Sequence, residues 1–134
     1  MKTIFGILLL AGSVATAYAQ KINASKVPVP VIAAFTKLHA GTKVSWEMEK
    51  KDYEAGFKLN GKETSEVYSA KGVLLETETA IKVIELPATV LAKLKGSKIA
   101  EAAKITKADG TIYYEAEVKG KDLMFDANGN PVKP

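Results

Sequence analysis

The chain has 134 residues, 47% of them apolar, and a formal charge of +4. That length gives one ordinary globular domain, able to bury roughly two thirds of the surface its unfolded chain would expose. With no cysteine, disulfides, thiolate catalysis and cysteine-ligated zinc or iron are excluded, and a single histidine, His39, excludes imidazole-rich metal sites.

All nineteen cationic side chains are lysine. The bidentate arginine fork suited to phosphate and guanine is therefore missing, and the lysines alternate with carboxylates instead of clustering. A solvated surface is expected, with no nucleic-acid partner. Met1 to Ala19 has the three parts of a secretory leader: Lys2, the apolar run Ile4 to Ala11, and Ala17-Tyr18-Ala19 ahead of Gln20. Cleavage after Ala19 is expected, leaving about 115 residues, 20–134, in the periplasm or outside the cell. No later apolar run approaches the ~20 residues a spanning helix needs, so no stable membrane insertion is expected after cleavage.

Residues 20–27 show no period and read as a flexible lead-in, in which Asn23-Ala24-Ser25 fits the glycosylation sequon. Pro30 then opens a helix with Val31, Ala34, Phe35 and Leu38 on one stripe and Gly41 past its end. His39 lies in its last turn and reads as a capping or surface residue. From Lys43 to Glu49 the period changes to two, with Val44, Trp46 and Met48 on one face. Trp46 reads first as core and second as a ligand-stacking platform.

Further strands follow over Tyr53 to Leu59, Lys62 to Ser69 and Val73 to Thr79, the first two joined by the hairpin turn Asn60-Gly61. Residues 80–86 lead out. Pro87 opens a second short helix, with Val90, Leu91 and Leu94 inward, and Gly96 closes it. Lys98 to Thr106 has helical propensity in Ala100 to Lys104, yet its place after the helix matches the Trp46 strand, so it is assigned as a strand. Tyr114, Ala116 and Val118 alternate with Tyr113, Glu115 and Glu117, and the chain turns at Lys119-Gly120 into Asp122 to Asp126 and again at Asn128-Gly129.

The halves match in order. Pro30 pairs with Pro87, Gly41 with Gly96, Tyr53-Glu54-Ala55 with Tyr114-Glu115-Ala116, and Tyr68-Ser69-Ala70-Lys71-Gly72 with Phe125-Asp126-Ala127-Asn128-Gly129, at offsets of 57, 55, 61 and 57 residues. The expected fold is α+β: two tandem repeats, at about 29–84 and 85–133, forming one antiparallel sheet of about seven to eight strands with the helices on one face.

These motifs resemble the PepSY-like domains of exported bacterial proteins, whose tandem form resembles the fold of the β-lactamase inhibitor protein. The resemblance runs from about Val29 to Val132 and is closer in the second copy, since the first lacks the acidic and asparagine residues of Phe125-Asp126-Ala127-Asn128-Gly129. It implies a periplasmic, non-enzymatic module that binds or inhibits proteins, and it supplies no catalytic residue.

The remaining constellations are weak. Asp126, Asn128 and Asn130 begin like a calcium loop, but the glycine comes at the fourth position and no bidentate glutamate follows, so a turn is expected and neither metal nor cofactor. Glu115 and Glu117 stand roughly 7 Å apart on one strand face, a spacing glycosidases also use but one that any solvated strand produces. The face turned away from the helices carries Tyr113, Glu115, Glu117 and Met124, with Glu54, Lys58 and Val67 in the first half. With Trp46, the first four are the candidate binding residues. The leading expectation is an exported, non-enzymatic module recognising an envelope or exported protein or peptide through that face. The alternative is a small-molecule or cell-envelope glycan binder with a pocket near Trp46.

Overall fold

The computed structural model describes residues 20–133. The leader and its cleavage point lie outside the described residues. Eight strands form one sheet in chain order: β1 (Gln20–Ile22), β2 (Ser45–Glu49), β3 (Asp52–Leu59), β4 (Lys62–Tyr68), β5 (Leu74–Ile81), β6 (Ile99–Lys107), β7 (Ile112–Val118) and β8 (Lys121–Asp126). Two α-helices lie among the described residues, α1 (Val29–Leu38) and α2 (Ala88–Lys93). Contacts divide it into two compact units that part after Thr77, inside β5.

In the first unit, cross-strand registers put Trp46 opposite Ala55, Met48 opposite Tyr53, and Tyr53 opposite Tyr68. Residues paired across a ladder share a face, so the apolar set read from the alternation of β2 and β3 forms a single surface. Val31 and Phe35 of α1 lie on it, in a core with Val27, Trp46, Ala55, Phe57 and Tyr68. The Phe35 ring meets Trp46 and Phe57 edge-on, with centroids 5.5 and 5.1 Å apart. Such contacts add about 1 kcal/mol each to the area they bury. Leu38, expected inward, is 56% exposed, because α1 ends there.

The second unit has a core of its own. Ala102 faces Ala116 and Tyr114 faces Phe125. Leu86, Val90 and Leu94 pack with Ala102, Ala116 and Phe125 into its core. The strand assignment of the ambiguous segment agrees with β6: its helical propensity yields to pairing along nearly all of β7.

Two expectations are corrected. Residues 20–27 are no loose lead-in: Gln20, Lys21 and Ile22 pair with Met48, Glu47 and Trp46, and a 3-10 turn follows over Ala24–Lys26, where Asn23 Oδ1 accepts the Ser25 N–H. Three residues are too few to display a period, so only the partner strand reveals them. Likewise Pro28, and not Pro30, holds the N-cap position of α1 that Pro87 holds in α2.

The paired glycines of the two turns do the same work. Gly72 has φ +82°, and a Cβ there would stand 2.5 Å from the Pro30 carbonyl oxygen; Gly129 has φ +81°, and its Cβ would stand 2.8 Å from the Thr89 carbonyl oxygen. Each turn is thus seated on the first turn of its unit's helix, the second held also by Thr89 Oγ1 donating to Ala127 O at 3.0 Å. Because the left-handed conformation and the close approach both penalise a side chain, Gly72→Ala should cost about 2 kcal/mol. Urea unfolding checks this, and a loss below about 0.5 kcal/mol would show that the turn is not tightly seated.

Candidate functional site

The face of the second unit opposite α2 carries the four residues assigned to it. Registers set Tyr113 beside Ile105 and Asp126, Glu115 between Ala103 and Met124, and Glu117 between Glu101 and Asp122. All belong to the same alternation, one step out of phase with the buried Ala116 and Phe125. Tyr113, Glu117 and Met124 are partly exposed.

Glu115 departs from its expected outward place: it is only 7% exposed. Its cross-strand neighbour Ala103 is buried too, and Ile105, diagonally adjacent, is fully buried although it belongs to neither core cluster. The face is therefore open at Tyr113, Met124 and Glu117 and closed around Glu115. Alternation identifies which residues share a face but not how much of that face neighbours cover. Next to Glu117, burial and that carboxylate raise the Asp122 carboxyl above its ordinary value.

Trp46 takes the first of its two readings, core. It is 4% exposed, lies in the core beneath α1 on Phe35, and has Tyr68 at 6.5 Å. Its Nε1–H has no hydrogen-bond partner among the described residues, which costs about 1–3 kcal/mol that the indole's burial offsets.

His39 is the C-cap of α1, the first of its two expected roles, and its side chain is only 12% exposed. The ring turns inward against Phe35 and Phe57, with centroids 5.1 and 4.5 Å away, and Nε2 meets Glu66 Oε1 at 2.9 Å. The Tyr68 hydroxyl donates to the same oxygen at 2.8 Å. Glu66 stands opposite Ala55 on the core side of β4, so this carboxylate is buried with two polar partners. Burial, and then the bond to Glu66, push the Tyr68 phenol well above the ordinary tyrosine range.

The opposite face of the first unit holds carboxylates that sequence reasoning did not bring together. Glu47 and Glu54 are cross-strand partners, and Glu49 follows Glu47 on the same face. Burial, then repulsion from Glu49 and Glu47, raise Glu54 from 4.5 to about 8, with Glu76 adding to the repulsion. Glu49 is raised by burial, although its bond with Glu54 lowers it. Of the two, Glu54 is the more strongly held in its protonated form. The alternation of β2 and β3 carried the signal, since it set all three on the polar face.

Beside this group, toward the start of β2, a cavity of about 440 Å³ is lined by Thr42, Lys43, Ser45, Gly56, Phe57, Lys58 and Glu63. Trp46 is not among them. In the second unit, the motif reminiscent of a calcium loop is a self-contained turn: Asp126 Oδ1 accepts the N–H groups of Asn128 and Asn130, both at 2.9 Å, and Oδ2 accepts Asn130 Nδ2 at 3.2 Å. The Asn130 N–H, first among these, holds the Asp126 carboxyl below its ordinary value.

Geometry thus defines an α+β protein with a helix-backed antiparallel sheet. No protein-family model matches the chain, and no curated protein matches it. Solved structures share the fold. A candidate periplasmic protein of Bacteroides eggerthii is 18% identical, with a TM-score of 0.71 over 79% of this chain and 86% of that one. A DUF2874 family protein of Bacteroides uniformis is 19% identical, with a TM-score of 0.70 over 78% of this chain and 86% of that one. A BLIP-like protein of Bacteroides fragilis is 21% identical, with a TM-score of 0.62 over 77% and 81%. At these identities the likeness shows the fold alone. Among the described residues no helix is long and apolar enough to cross a membrane.

Proposed function

We propose that this is an exported, non-enzymatic binding module, built from two copies of one helix-and-strand unit, that recognises a protein or peptide through the sheet face opposite α2. The observation that carries the reading is the grouping of Tyr113, Met124 and Glu117 on that face, partly exposed beside Asp122. An aromatic ring, a thioether and carboxylates on a rigid strand pair supply apolar contact and charged specificity together. The duplication is supported by Gly72 and Gly129, which meet the first turn of α1 and α2 in the same way. Export is supported by the leader pattern and by the periplasmic description of the Bacteroides eggerthii neighbour.

The test is capture from an envelope extract by the immobilised protein and by a Tyr113→Ala/Glu117→Lys variant. A partner held by the parent and lost by the variant is the expected result. Equal retention by both would remove the binding surface from this face.

A further inference from the structure

Gly56 sits in the interior of β3, where a residue without a side chain weakens a strand and leaves its backbone open to close approach. Its partners on the two flanking strands, Ser45 and Ser65, are small as well. Of this row Ser45 and Gly56 line a cavity, and the register of β2 with β3 ends there at Ser45, so that Thr42 and Lys43, which precede it, line it too. Lys58 and Glu63, cross-strand partners on β3 and β4, also line it. The volume of this half-open cavity, about 440 Å³, falls within the range of small-ligand pockets.

The charges of the lining select the ligand. Lys58 Nζ is held by Glu63 Oε1 at 3.8 Å, whereas Lys43 has no ion pair among the described residues. Two ammoniums and one carboxylate leave a single net positive charge, with the hydroxyls of Thr42 and Ser45 at hand. A singly charged carboxylate matches this, and a doubly charged phosphate does not, the more so because the chain has no arginine to grip one bidentately. The Gly56 floor and the aliphatic stems of Lys43 and Lys58 contribute the apolar contact.

We infer that this cavity binds the carboxylate of a small monoanionic ligand with a short apolar body, either a free organic acid or the C-terminal residue of a peptide. Lys43 is its counter-ion, and Gly56 leaves the room its body occupies. This goes beyond the sheet-face reading, because it uses none of Tyr113, Glu117 and Met124.

Amide NMR of the isotope-labelled protein, titrated with isocaproate, N-acetyl-alanyl-leucine and the neutral isocaproamide, tests it. The expected result is saturable shifts at Thr42, Lys43 and Gly56 with at least one acid. Affinity should fall by about tenfold or more for the neutral amide and in Lys43→Gln, the loss of one charge-assisted contact. Gly56→Val, which fills the floor, should abolish the shifts in a protein whose remaining spectrum is unchanged. Tighter binding of the dipeptide identifies a peptide terminus as the source, and tighter binding of isocaproate a free acid. Absence of saturable shifts with both acids, equal binding of the neutral amide, or full affinity in Lys43→Gln would overturn the inference.

Discussion

Replacing His39 by alanine should destabilise the protein by about 3–4 kcal/mol, combining the lost bond to a charged group with the cavity left by the ring. The imidazole packs between Phe35 and Phe57 and binds Glu66, whose side chain is only 6% exposed. Without it, Glu66 keeps the Tyr68 hydroxyl as a hydrogen-bond donor at 2.8 Å and stays away from water. Removing one partner of a buried pair is far costlier than removing both. His39→Ala/Glu66→Met should therefore recover at least 1 kcal/mol relative to the sum of the single changes. Urea unfolding of the four proteins measures this cycle. If His39→Ala cost less than about 1 kcal/mol, the histidine would be an ordinary helix terminus and the pair would contribute nothing.

Glu54→Gln should have the opposite sign and depend on pH. In the folded protein Glu54 releases its proton near 8, whereas its ordinary value is 4.5. Between those values the unfolded chain has lost the proton and the folded chain retains it. Its contribution to stability is consequently complete below pH 4.5, declines as pH rises through the interval, and levels off above about 8. Glutamine keeps the donor to Glu49 without the titration. Above that interval the variant should be more stable than the parent by on the order of 3 kcal/mol, after allowance for screening at a partly exposed site. Below 4.5 the two should converge. Stability measured in steps across the interval checks the prediction, and parallel profiles for the two proteins would show that Glu54 ionises normally.

These two sites were legible to different degrees. The alternation that set Glu47, Glu49 and Glu54 on one strand face was visible in the chain, because a period of two is a local property. Their mutual approach depends on the register of β2 with β3, which pairs Glu47 with Glu54. His39 gave only the signal of its position, near the end of a proline-to-glycine helix. Its carboxylate partner lies 27 residues away, on a strand whose core side carries Thr64, Glu66 and Tyr68. A glutamate at a core-facing position looks like an error of pattern until its partners are known.

The local grammar was legible in the chain: the two proline-to-glycine helices, the strands of period two, and the turns at Asn60-Gly61 and Asn128-Gly129. Each follows from backbone sterics or side-chain alternation within a few residues. Long-range packing makes Gln20 to Ile22 an edge strand, buries His39 together with Glu66, and covers Glu115 while leaving Tyr113 and Glu117 partly exposed. Packing likewise sets where the cavity lies, over Gly56. Burial is a property of what distant segments bring to a face, and no local period encodes it.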